Sequence, residues 1–133
     1  MAKDESQGYL PGKCNIGPKE IKKRYLTGFI GFVIAAILAV FLSISKVNYL
    51  FFILLIFPLF LGFIGFYQGY KRFCVANAIA GIYVFSDTKK GSIKDKKSHR
   101  IDLKKALILI TYSFISAALL TMVMTLIAYY LVV

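Results

Sequence analysis

The chain has no tryptophan, one histidine, two cysteines, three prolines and only six acidic residues. Three long stretches, residues 25–45, 49–70 and 106–133, carry no ionisable side chain other than tyrosine. Each absence closes off some chemistry. Charged groups inside a bilayer are costly and mark ion paths, proton relays or buried ligands, and none of these can be built within the three stretches. Gln68 is their only amide. Two thiolates and a single histidine do not complete a four-ligand zinc site. That histidine, His99, lies in Lys96-Lys97-Ser98-His99-Arg100, where neighbouring cations oppose a bound metal, so it reads as facing solvent or lipid headgroups. No metal, cofactor or catalytic residue is expected.

What is present is apolar surface, at 59% of residues. A span needs about 20 apolar residues to cross a hydrocarbon core of about 30 Å, and each uncharged stretch is long enough. In lipid the backbone must satisfy its own polar groups, so such runs are helices. The expected fold is an all-α membrane protein with three transmembrane helices. Residues 1–17 form a leader, 18–70 a helical hairpin, 71–105 an interfacial segment with a basic loop, and 106–133 the third helix. No signal peptide is expected, because the first apolar run follows a polar leader and is too long for an h-region.

Lysine and arginine number six before Tyr25, one (Lys46) between the first two spans, and ten from Lys71 to Lys105. The positive-inside rule then places the N-terminus and the 71–105 loop in the cytoplasm and the C-terminus outside. The expected location is a prokaryotic inner membrane. The net charge of +11 is accounted for by this topology and needs no nucleic acid. Lys22, Lys23, Arg24, Lys71, Arg72, Lys104 and Lys105 fall where they would contact lipid headgroups or a partner.

Small residues recur at three- and four-residue spacing: Gly28, Gly31 and Ala35 in the first span, and Gly62, Gly65 and Gly69 in the second. Ser113, Ala117, Thr121 and Thr125 form a similar stripe in the third. Such stripes let membrane helices approach closely. Pro18 suits the first turn of a helix, and Pro58 is expected to bend the second helix near mid-membrane. Residues 73–85 are apolar but too short to span, so they are expected at the interface, with Gly81 closing a short helix. Residues 86–105 read as a solvated loop, with at most a short amphipathic stretch before the third helix. If the leader is ordered, a surrounding assembly or the chain's own fold must hold it.

Cys14 and Cys74 fall on the same side of the membrane and come close if the hairpin forms. Lysine and arginine neighbours would lower a thiol pKa, yet small part-buried cysteines are commonly structural. Asn15-Ile16-Gly17, Arg24, Gly28, Phe73-Cys74 and Gly81 together resemble the small two-helix membrane domain of the YgaP type, found alone or attached to a rhodanese. The resemblance covers about half the chain and implies a hairpin scaffold. The basic loop and third helix are additional, no rhodanese is present, and Val75 stands where that family has proline. Three functions remain open. The first is a non-catalytic accessory subunit of a larger membrane complex, respiratory or otherwise energy-transducing, with membrane lipids and other integral subunits as partners. The second is a thiol or sulfur relay through Cys14 and Cys74. The third is a small oligomeric channel or transporter.

Overall fold

A computed structural model describes residues 9–86 and 88–132, with residues 1–8 outside the described part. It contains three helical segments long and apolar enough to cross a membrane. The first is α1, Pro18–Ile44. Gly17 is its extended N-cap and Pro18 opens the helix, where the missing N–H would have had no partner anyway. Glu20 sits in the first turn, beside the positive end of the helix dipole, and its carboxylate meets Lys23 Nζ at 3.0 Å and Arg24 at 3.9 Å. The return turn passes through Lys46, whose φ is +50°. The side chain of Asn48 then caps the next element by accepting the Leu50 N–H at 3.0 Å.

The second span is not one α-helix. Tyr49–Leu55 is a 3₁₀ helix that passes into α2, Ile56–Lys71. The expected mid-membrane bend at Pro58 is therefore a change of helix type. Pro58 stands in the first turn of α2, where a proline is tolerated, and the tighter winding precedes it. At its other end α2 closes with Arg72 in the left-handed conformation (φ +54°). Its N–H bonds the Gly69 carbonyl at 3.2 Å, and the Phe73 N–H bonds Gln68 at 3.0 Å. This paired closure satisfies carbonyls that would otherwise be stranded.

Next come α3, Val75–Ala80, and a short antiparallel hairpin of β1, Ile82–Val84, with β2, Lys90–Ser92. Gly81 ends α3 with φ +71°. The last element is α4, Lys96–Val132. Residues 86–105 are thus not simply a solvated loop before a helix at Ala106: they hold a strand of the hairpin and the first turns of α4. The reason is Asp95. One carboxylate oxygen accepts the Lys97 N–H at 3.1 Å and the other the Ser98 hydroxyl at 2.9 Å, while its carbonyl takes the His99 N–H. That is an N-cap, and the Ser98 hydrogen bond holds the Asp95 carboxyl below its ordinary pKa. Hydropathy marks where lipid begins; the cap marks where the helix begins.

α1 and α2 cross with backbone against backbone. A Cβ added at Gly31 would lie 2.5 Å from the Gly62 nitrogen, and one at Gly28 would lie 2.8 Å from the Phe66 nitrogen. One at Gly65 would overlap the Gly28 backbone. Gly62 and Gly69 face softer neighbours, the rings of Phe32 and Tyr25. α4 lies along this pair. Its buried stripe of Ser113, Ala117 and Thr121 faces inward, and Ala35, Leu42, Phe52, Leu55, Leu59, Ala117 and Ala128 form one core cluster. The Tyr67 and Ser116 hydroxyls join α2 to α4 at 2.9 Å. Phe73, Val75, Ala78, Ala106 and Leu109 form a second cluster at the basic end.

These contacts separate two glycine substitutions. Gly65→Ala drives a methyl into a backbone that cannot yield, whereas Gly69→Ala meets only a tyrosine ring. In thermal unfolding in detergent, Gly65→Ala is expected to cost about 2 kcal/mol or more and Gly69→Ala less than about 1 kcal/mol. Equal losses would contradict the backbone crossing.

Candidate functional site at the basic end

The leader is held by its own chain from Tyr9 onward. Leu10 and Cys14 close a turn, and residues 15–17 then run beside β1. The Val84 N–H bonds the Asn15 carbonyl at 3.0 Å, and the Gly17 N–H bonds the Val84 carbonyl at 2.9 Å. The approach is close enough that a Cβ at Gly17 would overlap the Phe85 carbonyl.

Asn15 is fully buried, and its side chain acts as a stand-in for a strand. Its Oδ1 accepts the Cys74 N–H at 2.6 Å, and its Nδ2 donates to the Cys74 carbonyl at 3.0 Å. Its own backbone N–H goes to the Arg72 carbonyl at 3.2 Å. The adjacent Val75 N–H is taken by Gln68 Oε1 at 2.8 Å. The two amides thus pair the backbone of the sharp α2–α3 junction, which is buried and out of reach of water. A buried peptide group left unpaired would cost about 1–3 kcal/mol.

A second fastening joins the leader to α4. Asp102 is fully buried. Its Oδ2 accepts the Tyr9 hydroxyl at 2.6 Å and its Oδ1 the Gly12 N–H at 2.7 Å. Burial, and then the hydrogen bond to Asp102, push the Tyr9 hydroxyl well above its ordinary value of 10.0. The sign follows directly. A raised pKa favours the neutral phenol in the fold, so this contribution is complete below about pH 10 and is lost only as pH rises beyond it. The Tyr9 ring also stacks on Tyr83 of β1 at 5.3 Å.

His99, expected to face solvent or headgroups, is half-buried, with Nε2 3.1 Å from the Ala78 carbonyl at the end of α3. The early start of α4 brings it there, because it shares the inward face with Asp102.

The two cysteines are brought to one end of the molecule and used differently. Both thiols are free. Cys74 is fully buried, and what the fold uses is its backbone, as N-cap of α3 and partner of Asn15. Cys14 is partly exposed, with its thiol donating weakly to the Ile16 carbonyl at 3.5 Å. Among the described residues no three His, Cys, Asp or Glu side chains gather to hold a metal ion. A cavity of about 200 Å³ among the helices is lined by apolar side chains, including Phe32, Ala35, Leu59 and Met124. Of the cations expected to meet headgroups or a partner, Lys22, Lys23, Lys71, Arg72 and Lys104 are exposed, and Arg24 and Lys105 are half-buried.

Asp102 and Tyr9 went unmarked in the sequence, and Asn15 stood out only within the Asn15-Ile16-Gly17 motif, not as a partner of Cys74. A signal for this role of Asn15 existed: an asparagine in Asn-Ile-Gly-Pro at a helix start, in a chain poor in amides. Asp102 carried none, since it stands among lysines in a charged run.

Replacing Asn15 with alanine leaves the Cys74 N–H unpaired, while the Cys74 carbonyl keeps the Ala78 N–H at 3.0 Å. The expected loss is on the order of 2 kcal/mol in detergent unfolding. Maleimide labelling should read the same event chemically: Cys14 reacts in the native protein, Cys74 does not, and Asn15→Ala exposes Cys74. Rapid labelling of Cys74 in the unaltered protein would contradict the closed arrangement.

Comparison of the chain with protein-family models, curated proteins and solved structures gave no match.

Proposed function

We propose that the chain is a non-catalytic accessory subunit of a larger integral-membrane complex, in an inner membrane with its basic end in the cytoplasm. The observation that carries this reading is how its polar side chains are used. Asn15, Gln68 and Asp102 are buried and bonded to backbone or to Tyr9, so their hydrogen-bonding capacity goes into architecture. Ser113 and Thr125 return their hydroxyls to their own helix at 2.7 and 2.8 Å. Outward, by contrast, α1 and α4 present large apolar side chains such as Phe29, Ile37, Phe41, Leu107, Phe114 and Leu119. Such faces suit lipid and neighbouring transmembrane helices.

Kinship with the YgaP-type hairpin belongs to the same proposal. The residues carrying the resemblance have physical tasks here: Asn15 pairs Cys74, Gly17 and Gly28 permit close approach, and Gly81 turns the chain. A thiol relay fits less well, because the Cys74 thiol is sealed while the Asn15 contact holds.

Purification of the tagged chain from its native membrane in mild detergent tests the proposal. The expected result is co-purification in fixed stoichiometry with other integral-membrane chains, unchanged when Cys14→Ser and Cys74→Ser are combined. A monomer carrying no partner would overturn the subunit reading. Loss of a sulfur-transfer activity in the double variant, with assembly intact, would support the relay instead.

A further inference from the structure

The first turns of α4 break a local rule. A helix N-terminus is the positive end of its dipole and favours acidic neighbours, yet α4 has no acidic residue in its first turn. Instead Lys96, Lys97, Arg100 and Lys104 are all exposed. Lys96, Arg100 and Lys104 follow one another at four-residue spacing, where like charges repel. Lys94 precedes them and is also exposed. Of the two carboxylates nearby, Asp102 is buried beneath the helix on Tyr9 and Gly12, and Asp95 is engaged as the cap while offsetting part of the Lys97 charge. The stripe therefore lowers the stability of its own helix, which points to an external counter-charge.

Position decides between a lipid surface and a protein. Ala106 and Leu109 share a buried cluster with Phe73 and Val75, directly after Lys71-Arg72, and the uncharged run of α4 begins at Ala106, which sets the apolar boundary near Lys104 for the comparison. At 1.5 Å per residue, Arg100 stands about 6 Å and Lys96 about 12 Å beyond it. The headgroup layer is only about 5–7 Å deep on each side. With α4 along the membrane normal, the Lys104 backbone stands at phosphate level, whereas the backbones of Lys94, Lys96 and Lys97 stand past it. Screening over about 8 Å at physiological salt further weakens their pull on the lipid plane.

We infer that the projecting start of α4 is a docking surface for an acidic, Asp/Glu-rich segment of a partner protein. The inference deepens the subunit reading by naming the chemistry of one partner. Its test does not need the native complex, so the two can fail separately.

The full chain would be placed in nanodiscs of zwitterionic phosphatidylcholine, and binding of a fluorescent decaglutamate peptide followed by anisotropy. Binding is expected at low salt, weakening steeply from about 30 mM to about 300 mM, with no binding of a charge-balanced Glu/Lys peptide. Combining Lys96→Gln, Lys97→Gln and Arg100→Gln is expected to weaken it about tenfold, as three exposed pairs would. The equal removal of charge in Lys22→Gln, Lys23→Gln and Lys71→Gln should change it less than about twofold. The platform variant should melt no lower than the parent, because repulsion at the helix start is relieved. No binding by the parent, equal weakening by both triple variants, or complete displacement of the peptide by anionic phosphatidylglycerol in the disc would overturn the proposal, the last by assigning the stripe to lipid.

Discussion

The fold of the basic end depends on one asparagine. A membrane hairpin followed by a short interfacial helix must turn sharply, and at that turn the backbone leaves the helical ladder while still buried. Water cannot complete its hydrogen bonds there. Asn15 does so from a distant part of the chain, pairing both peptide groups of Cys74, with Gln68 completing the next residue. Because Asn15 lies on the leader, the leader is part of the fold. Once it is seated, β1 gains a neighbour, Tyr9 reaches Asp102, and α4 is fastened to the elements before it.

The opposite constraint governs the spans. There the backbone is satisfied within each helix, and what remains to be gained is contact. Glycine at 28, 31, 62 and 65 removes the side chains that would keep α1 and α2 apart. Without a hydrophobic drive between helices in lipid, close packing and a hydrogen bond such as that between Tyr67 and Ser116 supply the cohesion. The polar clasp and the glycine crossing thus divide the work by depth.

Periodicity and charge made the three spans, the start of α1 at Pro18, the glycine faces and the turn at Gly81 legible in the sequence. What they missed has a common cause. The 3₁₀ stretch before Pro58, the start of α4 at Lys96 and the β-hairpin depend on single hydrogen-bonding side chains or on pairing, which leave no periodic trace. The cap at Asp95 was written in Asp-Lys-Lys-Ser but sat inside a run of charge that drew the eye to solvation. The candidate site was half legible. Cys14 and Cys74 do lie at one end of the molecule, but the residue that matters between them is Asn15, and the thiols themselves are incidental to the contact.

The central claim is that residues 9–17 are a structural part of the membrane fold, held through Asn15. Amide hydrogen exchange of the full chain in nanodiscs tests it most directly at Cys74 and Val84, whose N–H groups bond Asn15. The account predicts protection comparable to that of the α2 interior. Exchange at the rate of an open loop, with the spans still protected, would contradict it.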